Sequence, residues 1–395
     1  MTRKAALVLN AGSSSIKFAL FDLAASSALL LRGELEGIGV APRFRAVGAD
    51  GAELGAWSAE DSGADHEALL DRMLGWIETH LGDAALAAIG HRIVHGGTTF
   101  SAPVLATPDI AAQLAALSKL APLHQPHNVA PILAIAARRP HLVQIACFDT
   151  AFHATMPTLA TRFALPLAYE AKGIRRYGFH GLSFDHVAHT LAQSEPALAA
   201  GRVLAAHLGN GASLCGMLAG RSTDVTTGFS TLDGLMMGTR CGTLDPGVIL
   251  YLLQQDGMSA AAVEDLLYHH SGLLGVSGRS FDLRLLHGTA DGEPAIALFC
   301  HRAAREAHAV IGSLGGLDAL VFTGGIGEHD GLVRAAICDR LAWLGVELDQ
   351  AANAANAREI SRTGSRVRVL VLPANEEEAI LRGMRGLLPH QESPT

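Results

Sequence analysis

Lysine is scarce in this chain. Only four of its 30 lysine and arginine residues are lysines (Lys4, Lys17, Lys119, Lys172), and the net charge is −8. No basic block exists, so the cationic surface that binds nucleic acid is missing and no nucleic-acid partner is expected. The five cysteines (Cys147, Cys215, Cys241, Cys300, Cys338) are scattered and form no Cys-x-x-Cys pair. They read as reduced thiols rather than disulfides or a zinc site. No Gly-x-x-x-x-Gly-Lys-Ser/Thr motif occurs, which excludes a Walker A loop. No apolar run approaches the length of a membrane span, and no apolar leader precedes the first strand-like run. These absences predict a cytoplasmic protein without a membrane partner. What is abundant is apolar surface: 49% of the 395 residues are hydrophobic and 17% charged. That is enough for large cores, and the length predicts two domains.

Two turns stand out. Residues 5–23 place Asn10, Gly12, Ser13, Ser14 and Lys17 between two strand-like runs. Residues 203–218 repeat the arrangement, with His207, Gly209, Asn210, Gly211 and Ser213 between apolar runs. Either could be an ordinary hairpin, because Asn and Gly are common turn residues. Together they suggest two related domains, each offering a Gly/Ser hairpin to a phosphate-bearing ligand. The boundary is expected near residue 150.

Mixed α/β structure is predicted. Strand-like runs fall at 6–9, 16–21, 142–148, 203–207, 319–323 and 367–372. Thr107-Pro108-Asp109 opens a helix to about Leu117, Asp245-Pro246 one that ends before Gly257, and Ser259 one that stops near Gly272. A long alanine-rich helix spans about 294–314. Residues 24–65 suit edge strands and loops, and 389–395 suit a frayed end.

Further clusters carry chemistry. His91-Arg92-Ile-Val94-His95-Gly-Gly97 suggests a strand entering an anion-binding turn, with Arg92 either a bidentate anion ligand or a member of a surface ion pair. Two prolines around His124 predict a rigid loop between helices. Asp149, at the end of an apolar run, is either a ligand-contacting acid or a helix N-cap. Arg175 and Arg176 read either as charges brought close to a ligand or as a solvated basic corner. His180 and Arg240 lie among glycines, and the apolar residues around Arg240 favour a functional or ion-paired role for it. Val321–His329 reads as a strand and a glycine-rich turn, followed by a helix around Gly331–Trp343, which is either a nucleotide-binding context or a strand ended by glycines for structural reasons. Asn375-Glu376-Glu377-Glu378 reads as a helix start whose acids suit the helix dipole.

Together, and in order along nearly the whole chain, these segments resemble the acetate kinase family. The carriers are Asn10–Lys17, His91–Gly97, Phe148–His153, Tyr177–Gly181, His207–Gly211, Met237–Arg240 and Gly325–Glu328. The resemblance implies an α/β fold of two ribonuclease H-like domains of the actin/Hsp70/sugar-kinase superfamily, with an interdomain active-site cleft. It implies residues 1–150 plus a C-terminal helix at 377–395 as the acyl and metal domain, and 151–376 as the nucleotide domain. It implies reversible transfer of the ATP γ-phosphoryl group to acetate, giving acetyl phosphate and ADP, with Mg²⁺ or Mn²⁺, in a homodimer.

The family's roles carry over residue by residue. Asp149, His180, Arg240 and His124 match the catalytic positions, with Asp149 orienting the metal and its waters or Arg240. Arg92 matches the carboxylate site, and Val94, Leu123, Phe179 and Thr231 the acyl pocket. Lys17, His207, Leu208, Gly209, Asn210, Gly211, Asp282, Leu283, Arg284, Gly325, Ile326, Gly327, Glu328 and His329 match the ATP-binding segments. Asn10 and Glu376 match the metal positions, expected to face one another across the cleft. Thr231 departs from the family's usual proline and changes the pocket's size or polarity, so a propionate or butyrate kinase is the same-class alternative. A non-enzymatic ATP-binding chaperone or filament protein of the same fold is the different-class alternative. It gives no reason for Arg92, His180 and Arg240 to occur together.

Overall fold

A computed structural model describes residues 3–24, 28–58 and 65–388. The predicted frayed end at 389–395 lies outside the described residues. The chain forms two compact units, residues 1–151 with 376–395, and residues 152–375.

The first unit is built on an eight-stranded sheet. Its strands are β1 (Arg3–Ala11), β2 (Ser15–Asp22), β3 (Leu29–Glu36), β4 (Arg43–Gly48), β5 (Glu53–Ser58), β6 (Ala84–Ile93), β7 (Val104–Leu105) and β8 (Val143–Phe148), in the order β5-β4-β3-β2-β1-β6-β8-β7. β1 pairs antiparallel with β2 and parallel with β6, and β6 pairs parallel with β8. Within the 24–65 region, residues 29–58 form the β3–β5 meander, as its composition predicts.

The second unit repeats this plan. Its strands are β9 (Arg202–Leu208), β10 (Ala212–Leu218), β11 (Arg221–Val225), β12 (Ala319–Thr323) and β13 (Arg368–Val371), in the order β11-β10-β9-β12-β13. Here β9 pairs antiparallel with β10 and parallel with β12, and β12 parallel with β13. Each sheet therefore contains an antiparallel three-strand meander continued by two parallel strands. The two Gly/Ser turns are the matching β1–β2 and β9–β10 hairpins.

Apolar alternation explains the packing. Leu7, Leu9, Phe18, Leu35 and Phe44 form one face of the first sheet's core with Met73 and Ile77 of the helix His66–Thr79. In the second unit, Leu204, Leu214 and Phe322 pack on Phe299 and Ala303 of the helix Gly292–Leu314. The sheet's opposite face, through Val203, Ala205 and Val321, takes Phe184 and Val187 of the helix Gly181–Ser194. Burying each such large side chain contributes roughly 1.5–3 kcal/mol.

Three expectations shift. Glu376, expected in the second domain, belongs to the first unit. It opens the helix Glu376–Arg385, which packs on β1, β6 and β8 through its buried face of Ala379, Ile380, Leu381 and Met384. Gly90 makes room for it, since a Cβ there would stand 2.4 Å from Met384 Sδ. The helix capped by Ser259 runs Ala260–His269 and stops short of Gly272. Gly272 (φ +63°) instead starts the next short helix, pressed so closely on the Met237 carbonyl that a Cβ would fall 2.2 Å from it. Finally, the glycine-rich turn after β12 is itself helical, Gly324–His329.

Candidate active site

The first unit gathers its polar residues at the C-terminal ends of three adjacent strands, where α/β sheets place ligands. Asn10 is next to last in β1, Arg92 is near the end of β6, and Asp149 follows β8. Arg92 Nε donates to both Asp149 oxygens at 3.2 and 3.1 Å, and its NH2 donates to Oδ2 at 2.6 Å. Its NH1 donates to Asn10 Oδ1 at 3.1 Å, and Glu376 stands 3.6 Å from its Nε. A guanidinium has five N–H donors. Three are engaged here, which leaves two for a ligand on a side chain still 20% exposed.

The electrostatics follow from burial. Loss of water opposes the Arg92 charge, but Asp149, Glu376 and Glu377 outweigh it and hold the group firmly protonated. Burial pushes the Asp149 carboxyl up, to about 6, with Arg92 pulling it down and Glu376 pushing it up again. Asp149 thus orients Arg92, rather than capping a helix. Asn10 and Glu376 do not belong to opposite domains as expected, since both belong to the first unit and converge on the same guanidinium.

The segment carrying Arg92 is locked by side chains to which the sequence reading gave no role. Asn128 Nδ2 donates to the Ala11 carbonyl at 2.7 Å, while its Oδ1 accepts from Val94 N–H at 2.9 Å. It ties the first hairpin to the Arg92 segment. Gln125 bonds to both the N–H and the carbonyl of His95, and Thr150 Oγ1 accepts from Gly96 N–H. These buried amides replace the hydrogen bonds the turn would otherwise lack. His91 and His95 are structural: burial holds both down to about 4, and His91 Nε2 bonds to Gln144. His124 precedes the helix Gln125–Arg138 at its N-cap position, and Pro126 sits inside that helix's first turn rather than in a loop. Val94 is buried and Leu123 is exposed. Lys17 is exposed on β2 and directly opposite Asn10, so both side chains share one sheet face.

The second unit holds a compact histidine pair. His180 adopts the left-handed conformation (φ 57°, ψ 23°) at the N-cap position of the helix Gly181–Ser194. A histidine there is strained, and such strain concentrates at functional sites. Its ring stacks on His207 with centroids 4.4 Å apart and planes at 26°. His180 Nδ1 bonds to Ser213 Oγ at 2.8 Å, and His207 Nδ1 to Ser183 Oγ at 2.8 Å. Phe179 is buried, with its carbonyl bonded to the buried His153.

Arg240 lies on a segment docked to the second hairpin: Gly238 N–H donates to the Asn210 carbonyl at 3.0 Å. Its NH1 donates to the Thr231 carbonyl at 3.2 Å, and its guanidinium lies 5.9 Å from the Tyr268 ring centre. Arg176 is no solvated corner. Its NH1 donates to the carbonyls of Val225, Thr226 and Thr227.

Several expected nucleotide contacts have local duties. Asp282 and Arg284 form a bidentate pair with each other, and Asp282 also accepts from Arg284 N–H. Leu208 and Leu283 are core side chains, so only their backbones can meet a ligand. Glu328 Oε1 accepts from Gly324 N–H and Ala374 N–H and clamps the turn. Gly325 and His329 are exposed, Gly327 is buried, and Ile326 leans on the core.

Residues 5–382 match the acetokinase family. The chain is 51% identical over 385 residues to an acetate kinase of Rhodopseudomonas palustris, covering 95% of this chain and 96% of the relative. A propionate kinase of Francisella tularensis superposes with a TM-score of 0.88 at 35% identity, covering 97% of this chain and 99% of its own. The acetate kinase of Porphyromonas gingivalis superposes with a TM-score of 0.87 at 34% identity, covering 98% and 100%.

Proposed function

This chain belongs to the acetokinase family, and we propose from the residues above how it works as an acetate kinase. The γ-phosphoryl group of ATP passes to acetate by direct in-line transfer, giving acetyl phosphate and ADP. A carboxylate with a pKa near ~4 is already ionised at pH 7 and needs no general base. The chemical problem is to bring one anion against another, which demands pre-placed cations and donors.

Arg92 carries this reading. Its guanidinium is preset by Asp149 and Asn10 with two donors unspent, which suits a bidentate grip on a carboxylate. Asp149 orients Arg92 and is not a base. Arg240, His180 and His124 stabilise the transferred phosphoryl group. The turns at 207–211 and 325–329, with Lys17, serve the nucleotide, and Asp282 and Arg284 flank its adenosine half. Val94, Leu123, Phe179 and Thr231 bound the acyl pocket.

Among the described residues no three His, Cys, Asp or Glu side chains converge as a metal cage. Magnesium does not need one, because it keeps waters and takes one or two carboxylates plus phosphate oxygens. Asp149, Glu376 and Glu377 outnumber the one guanidinium they surround, and that excess of carboxylates fits such an ion. Asn10 and Glu376 would hold it, and it would neutralise charge on the transferred phosphate. A homodimer is supported by the helix Pro246–Gln254, which buries none of its residues although Val248, Leu250 and Tyr251 are exposed apolar groups. Five free thiols suit the cytoplasm.

The test is Arg92→Ala. The KM for the carboxylate rises by about two orders of magnitude while that for ATP holds, as expected when a charged hydrogen-bonding partner is lost. An unchanged carboxylate KM would move the acyl site elsewhere. Comparing kcat/KM for C2, C3 and C4 acids decides acetate against propionate, since one methylene is worth only about 1–3 kcal/mol.

A further inference from the structure

We propose that Ser213 and Ser183 are positioning residues that set His180 and His207 in the Nε2–H tautomer, so that both rings present a donor at the 209–211 turn.

The arrangement is crossed. Ser213 and His207 are direct cross-strand partners on β10 and β9, so they share one face of the sheet. His180 and Ser183 are three residues apart at the start of the helix Gly181–Ser194, and so lie on one helix face. The strand's serine bonds to the helix's histidine, and the helix's serine to the strand's histidine. The two rings stack where the elements meet.

The protons can be placed by elimination. Ser213 and Ser183 are both 0% exposed. Each hydroxyl makes one hydrogen bond, to an imidazole Nδ1. A buried O–H without an acceptor is costly, so each hydroxyl donates to that nitrogen. A ring nitrogen that accepts carries no proton, so in the neutral imidazole the proton sits on Nε2. The Nε2 edges both border the glycine turn. His180 Nε2 lies 3.3 Å from where a Cβ on Gly211 would stand, and His207 Nε2 4.0 Å from one on Gly209. In the opposite tautomer the rings would turn lone pairs toward incoming phosphate oxygens and repel them.

The tautomers stand on the hydrogen bonds alone; that the donors meet phosphate oxygens rests on the phosphoryl-transfer reading. The experiment separates the two. Two-bond nitrogen–proton correlation spectra of the ¹⁵N-histidine-labelled full chain, with His180→Gln and His207→Gln for assignment, report each tautomer without turnover. Both rings are expected as Nε2–H. Ser213→Ala is expected to shift His180 toward a mixture of tautomers and lower kcat about tenfold or more, with the carboxylate KM held. Ser213→Thr, which restores a hydroxyl, is expected to recover both. A wild-type His180 in the Nδ1–H form, or a Ser213→Ala variant with unchanged tautomer and kcat, would overturn the proposal. If Ser213→Ala does not fold, the wild-type spectrum and Ser183→Ala, read on His207, decide it in the same way. Wild-type protein with both Nε2–H tautomers but no acyl phosphate production would sink the functional reading and leave the tautomer assignment standing.

Discussion

Arg92 and Asp149 form a two-pronged ion pair, 2.6 Å at its shortest, in which the carboxylate is only 1% exposed. Both oxygens of Asp149 are occupied by the arginine. The acid therefore acts through the cation it aims. Asp149→Asn should lower kcat by two or more orders of magnitude and raise the carboxylate KM. It should also cost about 2–4 kcal/mol in urea unfolding, because the arginine is left without its partner in a low-dielectric site. Asp149→Asn with normal kcat would remove the pair from the mechanism.

Gly272 supports Arg240 from behind. A Cβ there would fall 2.2 Å from the Met237 carbonyl and 2.8 Å from that of Arg240, at a φ of +63° that side chains resist. Gly272→Ala should destabilise by about 2 kcal/mol or more and reduce kcat. Gly278→Ala, also at positive φ but with open space around its Cβ, should share the backbone strain and spare the rate. Denaturant midpoints and steady-state kinetics on both variants separate backbone strain from displacement of Arg240.

Three buried histidines predict the pH dependence of stability. Burial holds His91, His95 and His153 near 4, well below an unfolded value of about 6.5. Below that value the unfolded chain takes up protons that the native state refuses. Stability is therefore present above pH 6.5 and lost as the pH falls toward 4. Each histidine costs about 2 kcal/mol between pH 7 and 5. Asp149 has the opposite sign, because its raised carboxyl binds a proton more readily in the native state. It returns about 1 kcal/mol over the same interval. Urea titrations at pH 7 and 5 check the sum, and His153→Gln should remove one histidine's share.

Metal dependence is the next prediction. Removing divalent cations with EDTA should abolish turnover, and Mg²⁺ should restore it. Asn10→Ala and Glu376→Gln should each raise the Mg²⁺ concentration for half-maximal rate about tenfold. An unchanged Mg²⁺ dependence in both variants would place the ion elsewhere.

Much of this was legible in the sequence, for identifiable reasons. The two Gly/Ser turns keep a local signature, so the matching hairpins and the duplicated sheets follow from them. Arg92, Asp149, His180 and Arg240 each lie in a short ordered segment that the family resemblance picks out. What was not legible depends on contacts between distant segments. Asn128 and Ser183 sit in ordinary helix sequence, and only the fold brings Asn128 to Ala11 and Ser183 to His207. Arg176 looks solvated from its neighbour Arg175, yet it binds three carbonyls some 50 residues away. Glu376 joins the first unit because its helix carries an apolar face that fits the space over Gly90.

The proposed function turns on a carboxylate accepting the phosphoryl group directly. Incubating the protein with ATP, Mg²⁺ and acetate, and trapping the product with hydroxylamine, tests it most directly. Acetohydroxamate is expected to form in step with ADP and to fall by orders of magnitude in Arg240→Ala. ADP release without hydroxamate from acetate, propionate or butyrate would contradict it.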